Sequence, residues 1–215
     1  HATISNYMTV EMKTYDGVIA TKEHFYTLFG AERQGESNTY ISKDTIYGAY
    51  VLLSDIDFGG DTIRLGSFAG YLEGNGYTIS NFATQQPTHE AQEATEFCGL
   101  FMTMSGVMRN LNVKNATYTV WSHPYMMPFK SATNKGGILA GTLSGTLENV
   151  YLQGSMMGSP GSRIYWTYPE TWSEWDHPSL DAYGQIARAG YLAYDASEAT
   201  LRNVVLDVNN LYRGG

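Results

Sequence analysis

Two stretches of the chain concentrate the side chains that could do chemistry. Residues 114–135 hold Tyr118, Trp121, His123, Tyr125, Met126, Met127 and Phe129, and residues 153–183 hold Tyr165, Trp166, Tyr168, Trp172, Trp175 and His177. Glu170, Glu174, Asp176 and Asp181 lie in the second stretch, and all four tryptophans of the chain fall in these two. Flat aromatic faces stack on sugar rings, carboxylates accept hydroxyl hydrogen bonds, and aromatic anchors dominate protein interfaces. The pattern predicts a surface that binds a protein or a glycan. Its contacts would be Trp121, Tyr125, Trp166, Tyr168, Trp172 and Trp175, with Glu170, Glu174, Asp176 and Asp181 as polar support. A plainer reading stands beside it: long loops need a small core of their own, and the same aromatics packed on a scaffold would supply one.

Other chemistries have less to draw on. The four acids could furnish the carboxyl pair of a polysaccharide lyase or glycoside hydrolase, but that chemistry needs two carboxyl groups held at a fixed short separation. Loops hold such a geometry poorly, so enzyme activity is an alternative with no catalytic residue assigned. His123 and His177 lack a third zinc ligand, and no His-Glu-x-x-His occurs. Asp55 and Asp57 flank Ile56 on one side of a strand and could bind calcium. With Gly59 and Gly60 following, they read as acceptors of turn hydrogen bonds instead. No metal and no cofactor is expected. No Gly-x-Ser-x-Gly elbow or phosphate-binding glycine loop is present, and the single cysteine, Cys98, sits among apolar neighbours as an inert thiol would. Asn115-Ala116-Thr117 fits a glycosylation acceptor.

Composition narrows the partners. Thirteen lysines and arginines against 21 acids give a formal net charge of -8, which disfavours nucleic acid. No run of some eighteen apolar residues exists, so no membrane insertion is expected. A chain that opens at His1 and ends at Leu211-Tyr212-Arg213-Gly214-Gly215 is expected to be a piece of a larger protein.

The elements that must position the aromatic stretches are repeats. Ile79-Ser80-Asn81-Phe82, Met108-Arg109-Asn110-Leu111, Leu147-Glu148-Asn149-Val150 and Leu201-Arg202-Asn203-Val204 share one pattern, with Gly76, Gly106 and Gly145 before the first three. Residues 98–113 overlie 136–151 without a gap, and Gly184-Gln185-Ile186-Ala187 is a looser copy of the first part. Short alternating runs broken by glycine are strands separated by turns. An asparagine at one fixed bend favours stacked coils, because it tolerates unusual dihedrals and can form a hydrogen-bonded ladder. Asn81, Asn110, Asn149 and Asn203 are therefore assigned a structural role. Of their spacings of 29, 39 and 54 residues, the last two exceed a bare coil of roughly 20–30 residues. The excess falls after the asparagine strand, as insertions at 114–135 and 153–183 that leave one edge side by side.

The first part of the chain differs. Thr21 as N-cap, Glu23 in the first turn, and Phe25, Leu28 and Phe29 on one face predict a short helix ended by Gly30. Residues 31–47 read as a polar loop, and Tyr50-Val51-Leu52-Leu53 as a strand. A solenoid end must be covered, so residues 1–47 are predicted to be the cap of a β-helix at 48–215.

Tyr50-Val51-Leu52 through Asp55-Ile56-Asp57-Phe58, with Phe68-Ala69-Gly70-Tyr71-Leu72-Glu73-Gly74-Asn75-Gly76-Tyr77-Thr78-Ile79-Ser80-Asn81, resembles the opening coil of bacterial surface β-helices. Gly137-Ile138-Leu139-Ala140-Gly141 followed by Gly145-Thr146-Leu147-Glu148-Asn149-Val150 resembles their glycine-rich GLUG repeat. Cys98-Gly99-Leu100-Phe101 with Gly106-Val107-Met108-Arg109-Asn110-Leu111 is a second copy, in which Met102-Thr103 departs from the usual small residue and glycine. The likeness covers residues 45–154 and, more loosely, 184–208. Such modules occur in adhesins, cell-wall proteins and non-catalytic parts of immunoglobulin-A metallopeptidases. The resemblance implies an all-β, right-handed parallel β-helix on the bacterial cell surface, and it assigns no chemistry. The function expected is a structural or adhesive module of a larger surface protein, with a pure scaffold and a β-helical polysaccharide-cleaving enzyme as alternatives.

Overall fold

A computed structural model describes residues 13–85, 97–119, 135–157 and 188–211. Over these residues the chain is a parallel β-helix with a short helix at its N-terminal end. The N-terminal region contributes β1 (Gly17–Ile19), α1 (Lys22–Leu28), β2 (Glu32–Arg33), β3 (Thr39–Ile41) and β4 (Thr45–Ile46). A first full coil is β5 (Ala49–Leu52) and the long β6 (Ile56–Phe68). The second holds β7 (Tyr71–Glu73), β8 (Thr78–Gln85), β9 (Phe97–Cys98) and β10 (Phe101–Met104). The third holds β11 (Val107–Thr119), β12 (Lys135–Gly136) and β13 (Ala140–Leu143), and the fourth β14 (Thr146–Met157), β15 (Arg188–Ala189) and β16 (Ala193–Asp195). Strand β17 (Thr200–Leu211) lies on the fourth. Among the described residues every strand pair is parallel except β2 with β3.

Alternation makes the core, because every second residue of a strand faces inward and stacking aligns these residues in columns. Leu72, Met108 and Leu147 form one buried column, and Ile79, Val113 and Leu152 another. At the N-terminal end the columns turn aromatic: Phe68 stacks on Phe101 at 5.3 Å, and Phe58 meets Phe82 edge-on at 5.6 Å.

Helix α1 closes that end. The Thr21 hydroxyl accepts the His24 N–H at 3.2 Å, and Gly30 leaves the helix in the left-handed region. Phe25 and Phe29 are buried against Phe58 and Phe68, as the apolar spacing predicts, with Leu28 partly buried. Tyr26, which that spacing does not single out, is buried as well and stacks on Tyr40 at 3.9 Å.

Residues 31–47 are not the loop their polarity suggests. Here β3 and β4 pair in parallel with β6, so this segment is part of a coil and the solenoid begins before residue 48. Its outer side chains face solvent, which hides the strands from a hydrophobicity pattern.

One glycine column is forced by close approach. A Cβ on Gly70, Gly106 or Gly145 would collide with the carbonyl oxygen of Gly48, Gly70 or Gly106 in the coil before. The glycine that matches Gly106 and Gly145 is therefore Gly70. Gly76, the sequence-based choice, belongs instead to a local turn with Asn75 (φ 80° and 53°).

Candidate functional site

All six non-glycine residues with positive φ among the described residues are asparagines: Asn75, Asn81, Asn110, Asn115, Asn149 and Asn203, between 50° and 59°. Asparagine reaches this left-handed region at low cost, whereas most residues with a Cβ do not. Five of the six sit at coil corners and hydrogen-bond from coil to coil. Asn203 Nδ2 donates to Asn149 Oδ1 at 2.8 Å, Asn149 Nδ2 to Asn110 Oδ1 at 3.0 Å, and Asn110 Nδ2 to the Glu73 carboxylate at 2.9 Å. At the next corner Asn115 Nδ2 donates to Asn81 Oδ1 at 2.8 Å, and Asn81 Nδ2 to Asp57 Oδ1 at 2.9 Å.

There are thus two ladders, and the equivalence drawn from sequence is corrected at one rung. Asn81 stands under Asn115, not Asn110, and the Asn110 amide donates instead to Glu73, the residue opposite Arg109. The second coil spends Gly74-Asn75-Gly76-Tyr77 on a corner that the third turns with Asn110-Leu111, since Glu73 pairs Arg109 and Thr78 pairs Asn112. Those extra residues displaced the pattern match. Asn115, the glycosylation-acceptor candidate, has its amide nitrogen engaged in the ladder.

Asp55 and Asp57 are both used as acceptors. Asp57 Oδ1 takes the Gly59 N–H at 2.8 Å, the turn bond expected of it, and Asp55 Oδ1 takes the Thr78 N–H of the next coil at 2.8 Å. The Asn81 amide, with the Gly59 N–H, holds the Asp57 carboxyl below the usual carboxylate range. Asp61 is buried and binds the cap: its Oδ2 accepts from Tyr26 OH at 2.7 Å and pairs with Lys22 Nζ at 3.0 Å. Burial, with the Asp61 hydrogen bond, pushes the Tyr26 phenol well above its ordinary value.

On the outer face, charges alternate in register: Glu73, Arg109, Glu148 and Arg202 lie opposite one another on successive strands. Arg109 Nε is 3.3 Å from Glu148 Oε2, and Arg109 Nη1 is 3.4 Å from the Tyr71 hydroxyl, which donates to Glu73 Oε2 at 3.2 Å. Tyr151 donates to Asp207 Oδ2 at 3.0 Å. Among the described residues no three His, Cys, Asp or Glu side chains gather as a metal site would need.

The most distinctive geometry is an edge. Strands β8, β11 and β14 run in register to Gln85, Thr119 and Met157. The described chain resumes at Phe97, Lys135 and Arg188, which are again paired across three strands. The segments 86–96, 120–134 and 158–187, termed excursions, are therefore bracketed by equivalent positions in three coils. The insertions expected from 114 and from 153 begin later, because β11, past an irregularity at Asn115, and β14 keep pairing to Thr119 and Met157. The first coil carries no such excursion. Thr62 pairs Ala83 and Leu65 pairs Phe101, so Ile63-Arg64 spans what residues 84–100 span in the second coil.

Trp121, Tyr125, Trp166, Tyr168, Trp172 and Trp175, with Glu170, Glu174, Asp176 and Asp181, lie outside the described residues, as do His123 and His177. Tyr118 is inside them and buried as a core residue. Sequence reasoning missed Glu73, Asn115, Tyr26, Lys22 and Arg109. Only Asn115 carried a signal, as a second asparagine five residues beyond Asn110.

No family model matches the chain, and no solved structure matches it significantly. Ninety-five residues, 43% of the chain, are 32% identical to halomucin from Haloquadratum walsbyi. The matched stretch spans 1% of that protein's length.

Proposed function

We propose that the chain is a structural and adhesive module of a larger cell-surface protein. The β-helix is the rigid support, and the excursions carry the surface that meets a protein or a glycan outside the cell. The observation that carries this is the edge where three consecutive coils open at paired residues, Gln85, Thr119 and Met157, and close at Phe97, Lys135 and Arg188. Segments whose ends are fixed at neighbouring positions of a packed solenoid face a lower ordering cost in forming a composite binding surface. The second and third excursions contain every tryptophan of the chain. The likeness to halomucin, a mucin by its name, and the resemblance to surface β-helices support the extracellular setting.

The test is binding to a glycan array and to a panel of surface proteins, with wild type beside Trp121→Ala and Trp172→Ala. Truncating an aromatic anchor is expected to weaken a genuine contact about tenfold or more. A wild-type module that binds nothing in either panel, with tryptophan fluorescence protected from a soluble quencher, would leave only the scaffold role.

A further inference from the structure

The far end of the solenoid shows a second surface, distinct from the excursion edge. Strand β17 pairs along its whole length with β14, and its opposite edge has no partner among the described residues. Two core columns end there. Leu72, Met108 and Leu147 are at most 1% exposed, yet Leu201 in the same column is 47% exposed. Ile79, Val113 and Leu152 are likewise buried, and Leu206 above them is 45% exposed. These leucines stand in line with core columns, and no described strand pairs over them.

Two polar rows stop at the same strand, each in a specific state. The asparagine ladder is directional: each amide nitrogen donates to the coil before it. Asn203 donates to Asn149, and its own Oδ1 accepts from no described residue. The outer charge row runs Glu73, Arg109, Glu148, Arg202, and both Glu148 oxygens are directed at Arg109. Arg202 is exposed and has no ion-pair partner among the described residues. The open end therefore asks for an apolar residue over Leu201, an acid over Arg202, an amide donor over Asn203 and an apolar residue over Val204. That pattern is the one Leu147-Glu148-Asn149-Val150 presents within this chain.

We propose that the β17 edge docks a further β-helical coil, whose parallel strand carries an apolar-acid-asparagine-apolar sequence in register with Leu201-Arg202-Asn203-Val204. Main-chain pairing along an open edge supplies affinity, and the side-chain rows set register and partner. Charge complementarity at Arg202 selects the acid, and ladder polarity selects a strand that continues the stack over one that pairs by two-fold symmetry. Two copies related by such an axis would set Asn203 Oδ1 acceptors and Arg202 cations against each other.

The probe is a labelled twelve-residue peptide with the sequence of Thr146–Met157, titrated by fluorescence anisotropy into the whole chain. Saturable binding is expected. Replacing the acid that matches Glu148 with lysine in the peptide should weaken it about tenfold, and so should Arg202→Glu in the protein. Combining the two changes should restore it. Absence of saturable binding at millimolar peptide, or equal binding of the acidic and lysine peptides, would overturn the proposal. Sedimentation velocity covers the remaining occupant: a concentration-dependent dimer abolished by Arg202→Glu would assign the edge to a second copy and overturn it equally.

Discussion

At the residue scale the asparagines serve both the backbone and the ladder, and the two contributions separate by mutation. Asn149 holds φ at 53° and makes two amide hydrogen bonds, one to Asn110 and one from Asn203. Asn149→Ala removes both bonds and puts a Cβ residue without side-chain compensation in the left-handed region. The expected loss is about 2–3 kcal/mol in urea unfolding. Asn149→Gly removes the same bonds but relieves the backbone, so it should lose about 1 kcal/mol less. Equal losses for the two variants would mean that the backbone contributes nothing. Asp57 gives a pH signature. Its folded carboxyl titrates below the ordinary value of 3.8, so its contribution is complete above that value and disappears as pH falls through the folded one. Wild type should therefore exceed Asp57→Asn in stability by a constant margin at neutral pH, and the two acid titrations should converge as pH falls below that value. The asparagine pattern was legible in the sequence because few residue types tolerate that backbone. The rung at Asn81 was misassigned because Glu73, opposite Arg109, supplies the acceptor an asparagine would, and the neighbouring turn shifts the spacing.

At the element scale, the cap helix was readable from its own residues: N-cap, first-turn acid, apolar face and terminal glycine all agree. Its anchor was not, because Lys22 and Tyr26 reach Asp61 across more than thirty residues. The pH dependence of that anchor has a definite sign. Tyr26 and Lys22 both titrate above their ordinary values of 10.0 and 10.5, so the stability they lend is intact below those values and is lost as pH rises through the folded ones. Alkaline unfolding followed by circular dichroism should begin near pH 10, and Tyr26→Phe should make that limb shallower. A steeper limb in the variant would place the stabilising charge elsewhere. The glycine column makes a sharper demand. An alanine at Gly145 meets the Gly106 carbonyl, and neither backbone can yield without breaking a coil pairing. Gly145→Ala should cost about 3 kcal/mol or more, against about 1 kcal/mol at Gly35, where a Cβ would meet open space and only the positive φ resists it. Strands β3 and β4 escaped the sequence reading because two or three half-exposed residues give alternation nothing to repeat.

At the scale of the whole molecule, the stacking of coils and the common edge of their excursions were legible, since the gapless match of 98–113 with 136–151 forces extra length to one place. The fates of Trp121, Trp166, Trp172 and Trp175 were not, because nothing repeats within the excursions. If the excursions are the binding surface and the coils the support, the two should separate experimentally. Replacing residues 158–187 with a flexible linker of about ten residues, long enough to span any gap across one coil corner, should leave the β-sheet spectrum and the unfolding midpoint close to wild type. Binding in the glycan or protein panel should be lost. Collapse of the solenoid in that variant would mean that the excursion is part of its core.

The bare corner at Ile63-Arg64 has a consequence for how coils of unequal length can stack. Two residues there do what some seventeen do one coil later, while the strands on either side keep the same partners. Neighbouring coils can therefore differ greatly in length at this point and still pair in register on either side, even though Ile63 and Arg64 are themselves paired with Tyr40 and Ile41.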